Sequence, residues 1–144
     1  MSVLRPLDRL RKTFNRHDLD GLAGCFGHRA ALVAPDGVGQ DREEIISYYH
    51  LFKEAFPDSM CTPQSVTTSG DTVVAEYTLT GTHNGPYLLP GGGIVEATGR
   101  PITVRACSVS IVEDGLITSH RIFYDQLELT AQLGGSLRFE DSEE

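Results

Sequence analysis

The pair Asp114-Gly115 constrains this chain more than any other feature. It stands between two runs rich in β-branched residues, Arg100 to Val112 and Leu116 to Tyr124. A two-residue type I′ turn needs φ > 0 at both central positions, and Asp-Gly meets that need at little cost. The two runs therefore form a hairpin in which Glu113 pairs with Leu116. Continued without interruption, that register sets Ser110 against Ser119, Ser108 against Arg121, Ala106 against Phe123 and Val104 against Asp125. Directly opposed residues share a sheet face. One face then holds Asp125, Phe123 and Arg121 among small side chains. The other holds Ile111, Val109, Cys107, Ile122, Tyr124, Arg105 and His120. After the hairpin, Gln126 to Leu133 reads as a short helix that Asp125 can cap and Gly134 ends.

Helical signals dominate the first half. Val3, Leu7, Leu10 and Phe14 recur at helical spacing, and a second short helix over Leu22 to Phe26 can be capped by Asp18 or Asp20. Ala30 to Ala34 reads as a short strand, and Pro35-Asp36-Gly37 as a turn. Asp41-x-x-Glu44 is a capping box in front of a third helix, Arg42 to Ala55, with Ile45, Tyr48, Tyr49, Phe52 and Phe56 as its apolar stripe. Pro57 stops it. Thr62 to Ser69 and Thr72 to Thr82 are strands joined at Gly70-Asp71. His83 to Gly93, dense in Gly and Pro, is a long loop of the kind that more often carries function than idles. Helices first and strands after give an α+β fold. A curved, mostly antiparallel sheet wraps three N-terminal helices into a cone with a pocket.

Composition narrows the function. A formal charge of −8 argues against nucleic acid, whose phosphates attract Lys and Arg. No run approaches the roughly 20 apolar residues that span a bilayer. Cys25, Cys61 and Cys107 have neither metal-ligand spacing nor an even count, so they read as reduced thiols in a cytoplasmic protein. No histidine pairs with Cys or a carboxylate at metal-binding spacing, so no metal is expected. Residues 1–144 read as one domain, with 136–144 a solvated, mobile acidic tail.

Seven short motifs occur in order: A-F-P-D from Ala55, G-D-x-V-x-x-x-Y from Gly70, G-T-H-x-G-P from Gly81, T-G-R-P-I from Thr98, E-D-G-x-I from Glu113, Tyr124-Asp125, and Q-L-G from Gln132. Together they resemble the SnoaL-like polyketide cyclases, within the larger ketosteroid-isomerase and nuclear-transport-factor-like superfamily. The resemblance implies an apolar pocket, no metal or organic cofactor, and a homodimer or homotetramer built through sheet faces. It also implies a small apolar or polyketide-like ligand, and an Asp at the end of the last strand, here Asp125, as general acid/base of an aldol or isomerase reaction. Relatives carry a polar aromatic residue before E-D-G and a Trp four residues before the Asp. This chain has Ser108, Ser110 and Arg121 there.

The site expected from sequence is therefore Asp125 with Arg121, which either binds an enolate or pairs with Asp125 or Glu128. His83, Tyr49, Phe52, Tyr77, Ser108 and Phe123 are expected around the ligand. His120 is expected on the opposite face, at an interface. The alternative to an enzyme is a non-catalytic ligand-binding or assembly module of the same fold.

Overall fold

A computed structural model describes residues 2–140. The last part of the acidic tail, residues 141–144, lies outside the described residues. Leu4–Asn15 forms α1 and Leu19–Ala23 forms α2, whose first turn is capped by Asp18 accepting from the Gly21 N–H. Phe26–Ala34 is β1 and Gly37–Gly39 is β2, a short strand where the sequence suggests only a turn. Arg42–Ala55 is α3, with the expected capping box in place. The Asp41 carboxylate accepts from Glu44 N, and the Glu44 carboxylate from Gln40 N.

Met60–Ser69 is β3 and Thr72–Thr82 is β4. Tyr87–Leu88 (β5), within the long loop, and Ile94–Val95 (β6), just after it, form a small separate hairpin. That loop begins hard against the end of α3. The N–H groups of Asn84 and Gly85 both donate to the Ala55 carbonyl, and a Cβ on Gly85 would collide with the Glu54 carbonyl oxygen. Pro101–Glu113 is β7, Leu116–Tyr124 is β8, and Gln126–Gln132 is α4.

The main sheet has the strand order β2-β1-β8-β7-β4-β3. All of its pairings are antiparallel except β1 with β8. This is the expected α+β architecture, with α1 and α3 laid across the concave face of one large curved sheet. The core between them is built from Leu10, Phe14, Phe26, Ile45, Tyr49, Phe52, Val104 and Ile117, all buried.

The terminal hairpin turns as expected. Asp114 has φ 52° and Gly115 φ 77°, and Glu113 pairs with Leu116. The register then breaks. Val112 pairs with Ile117, but Ile111 pairs with Ser119, so Thr118 is an extra residue in β8. Its hydroxyl donates back to the Ile111 carbonyl at 3.3 Å. Beyond this bulge Ser110 opposes His120, Ser108 opposes Ile122 and Ala106 opposes Tyr124. Because side chains alternate between faces, one inserted residue exchanges the two faces of everything after it. The uninterrupted register is thus corrected. His120, Ile122 and Tyr124 point to the concave side, while Arg121 and Phe123 point outward.

Candidate functional site

The concave face encloses a cavity of about 240 Å³. Leu7, Leu10 and Phe14 of α1 form one wall, and Tyr48, Tyr49 and Phe52 of α3 form the second. The sheet supplies Tyr77, Leu79, Ala106, Ser108, His120, Ile122 and Tyr124. Asp8, Arg11 and Glu76 are the charged side chains of the lining besides the titratable His120. Asp8 and Glu76 are exposed and Arg11 half-buried, so these three mark the mouth between α1 and the β3–β4 edge. Asp8 and Arg11 pair there at 3.4 Å. An apolar cavity of about 150 Å³ can stay dry and hold benzene, so this one has room for a somewhat larger, mainly apolar ligand.

His120 is the main polar group of the interior. It is 3% exposed, and its Nδ1 lies 2.7 Å from the Ser110 Oγ, which is fully buried. The Phe26 ring packs edge-on against the imidazole at 5.9 Å. Burial pushes its pKa down to about 4, because the apolar surroundings penalise the imidazolium. His120 is therefore neutral at pH 7. Its Nε2 has no hydrogen-bond partner among the described residues and is not sealed off from solvent-sized space. The same holds for the hydroxyls of Tyr49, Tyr77 and Ser108. Burial, and for Tyr49 the neighbouring Tyr77, raises both tyrosine pKa values, so both remain protonated donors. Cys61 also lines the cavity, and burial holds its thiol up at about 11.

Four of the expected ligand contacts lie on this cavity: Tyr49, Phe52, Tyr77 and Ser108. The others do not. Asp125 is exposed, and its Oδ1 accepts from the N–H groups of Leu127 and Glu128 at 3.0 and 3.1 Å as the N-cap of α4. It does not line the cavity. Arg121 is exposed on the convex face and makes no ion pair among the described residues, with Asp125, Glu128 or any other acid. Phe123, beside it, is 52% exposed. The Thr118 bulge accounts for Arg121 and Phe123, and for His120 lying inside rather than at an interface. His83 is buried away from the cavity. It stacks on Phe56 at 5.5 Å, and its Nδ1 accepts from Thr98 N at 3.2 Å, with the Thr98 hydroxyl 2.9 Å away.

The sequence reading also missed a cluster behind the cavity wall. Asp36, in the turn before β2, accepts from the hydroxyls of Tyr48 and Tyr87, each at 2.8 Å. Gln126 donates to the Tyr87 oxygen at 3.2 Å. The Tyr124 hydroxyl lies against this group, buried and without a hydrogen bond of ordinary geometry. The signal was available. Tyrosines on an apolar helix face need a hydroxyl partner when buried, and Asp36 is an acid in a turn that can reach them. Among the described residues no three His, Cys, Asp or Glu side chains gather as metal ligands, and no helix is long and apolar enough to cross a membrane.

Comparison with known proteins agrees with this fold. The family model for the SnoaL-like domain matches residues 7–120. IdmH from Streptomyces antibioticus, a candidate polyketide cyclase, is 28% identical, with 93% of this chain and 99% of that chain covered and a TM-score of 0.76. TsrD from Streptomyces laurentii is 26% identical, with 92% and 94% covered and a TM-score of 0.78. A protein of ketosteroid isomerase-like fold from Catenulispora acidiphila shares the fold at 17% identity, with 90% and 92% covered and a TM-score of 0.76. No curated protein matches the chain.

Proposed function

The chain belongs to the family of SnoaL-like domains, and we propose that it uses the cavity for proton transfer on a small carbonyl compound, as a cyclase or isomerase working without a cofactor. The supporting observation is His120. A neutral, desolvated imidazole on the wall of an apolar cavity, oriented by Ser110 and accompanied by free tyrosine hydroxyls, suits general base catalysis. This gives His120 the role that the sequence resemblance assigned to Asp125.

With Nδ1–H donating to the Ser110 hydroxyl, Nε2 carries the lone pair. Nε2 takes a proton from the carbon next to the ligand's carbonyl. The electrons of that C–H bond pass to the carbonyl oxygen as an enolate. The Tyr49 and Tyr77 hydroxyls donate to that oxygen, and such donors are worth most where water is excluded. The imidazolium then returns its proton, either to another carbon in an isomerisation or to the alkoxide formed when the enolate carbon attacks a second carbonyl. A base with pKa about 4 is weak but fully available at pH 7.

The test is proton–deuterium exchange on a soluble ketone or β-keto ester. His120→Gln should lower exchange roughly 10²–10⁴-fold while melting stays cooperative. Unchanged exchange in that variant would overturn the base assignment. Ligand binding without any exchange in the wild type would favour a binding module.

The convex face fits self-association as a homodimer or homotetramer. Phe123, Val33, Val109 and Cys107 give it apolar patches beside Arg121. Interfaces of this kind bury about 1,600 Å² in total. Light scattering should show a dimer or larger for the wild type and a monomer for Phe123→Glu. The three unpaired thiols fit a cytoplasmic setting.

A further inference from the structure

The charge of this chain is unevenly divided. Residues 1–17 hold Arg5, Arg9, Arg11, Lys12 and Arg16, five of the twelve Lys and Arg, and one acid, Asp8. That segment is +4, so the remaining residues are −12 within a total of −8. Arg5, Arg9, Lys12 and Arg16 follow one another at spacings of four, three and four, and all four are exposed. At 3.6 residues per turn they fall within an arc of about 60° on the outer face of α1 and its C-cap, a stripe about 17 Å long. None of them forms a salt bridge among the described residues, and only Arg11, at the cavity mouth, is paired.

Lys12 in the last turn and Arg16 at the C-cap suit the helix macrodipole, but Arg5 in the first turn opposes it, and α1 has no acid there. At Arg5 a local rule is broken without a compensating contact, which marks that position as kept for another purpose. The next face of the same helix, with Leu4, Leu7, Asp8 and Arg11, forms the mouth of the cavity.

We infer that this stripe is the docking surface for a small acidic helical carrier protein that delivers the ligand to the mouth. The inference rests on the proposed carbonyl chemistry only for what is delivered; the docking itself rests on charge and position. A single acidic helix suits the stripe better than an extended polyanion. The Debye length is about 8 Å in physiological salt, and a membrane surface or a duplex would also face the −12 carried by the rest of the molecule.

The test uses an acyl carrier protein as the acidic helical probe, with and without a butyryl chain, read by fluorescence anisotropy against the full chain. The wild type should bind, and binding should weaken by about tenfold or more between roughly 50 and 300 mM salt. R5E/R9E/K12E/R16E should lose binding. So should the milder R5Q/R9Q/K12Q/R16Q, which guards against misfolding of the first. Both variants should keep the wild-type exchange rate on a small soluble ketone, and Arg5→Glu alone should raise the melting temperature slightly by relieving the dipole conflict. Equal binding by wild type and variants, or none by the wild type, would overturn the inference. So would tighter binding to phosphatidylserine vesicles or duplex DNA, or salt-dependent self-association that the variants lose. Loss of docking with exchange intact counts against nothing in the proton-transfer reading, and the converse also holds.

Discussion

The two faces of the terminal hairpin share one backbone and have opposite surroundings. On the concave face Ser110, Ser108, His120 and Ile122 are buried around a small apolar cavity. On the convex face, one residue along in each case, Val109, Cys107, Arg121 and Phe123 are exposed or half-buried. The neutral histidine and the exposed arginine are adjacent in sequence. What separates them is the pleat, and what decides which goes inside is the single bulge residue, Thr118. A titratable side chain is a candidate for chemistry here because of the face it occupies, and its position along the strand matters less.

Inserting one alanine between His120 and Arg121 should break the comparison most severely. Continued in register, the strand would turn Arg121 and Phe123 inward and Ile122 and Tyr124 outward, placing an unpaired charge in the core. The expected outcome is loss of the cooperative thermal transition followed by circular dichroism. An insertion protein that melts like the wild type would mean that register does not set the faces.

His120→Gln acts on the concave face alone and should lower exchange by the factor given above, with little change in the outer face's self-association. The same histidine should govern acid stability. Its folded pKa, about 4, lies below its unfolded value of about 6.5. The stability it contributes is therefore complete above pH 6.5 and is lost as pH falls from 6.5 toward 4, by about 3 kcal/mol in all. Denaturant titrations over that range should show a slope that His120→Gln flattens. An unchanged slope would place the imidazole in a wetter site than the fold indicates.

The smallest effects belong to Asp125, at the end of the same strand. Asp125→Ala removes the acceptor for two backbone N–H groups and should cost about 1 kcal/mol, measured by melting temperature. Asp125→Asn keeps an acceptor and should be near neutral for stability and for exchange. A large loss of exchange in Asp125→Asn would sharpen the comparison in the other direction, returning the proton-transfer role to the carboxylate.

Local sequence determined the elements. The Asp41 capping box set the start of α3, Asp114-Gly115 set the hairpin turn with both positive φ values, and the order of helices and strands set the α+β class. Tyr49, Phe52, Tyr77 and Ser108 were legible as cavity residues because helical and strand periodicity fixes which side chains share a face. Tertiary structure decided the rest. A bulge leaves little trace in the pattern here, since Thr118 is as good a strand residue as its neighbours and both faces of β8 carry apolar groups. Whether the extra residue is tolerated depends on β1 and α1 packing against β8, and those contacts join distant parts of the chain. The Asp36–Tyr48–Tyr87 cluster is long-range in the same way, its members separated by 12 and 51 residues from the acid they share. Short-range rules set φ, ψ and caps, while the choice of inner face was made by packing, which minimises buried charge over the whole domain at once.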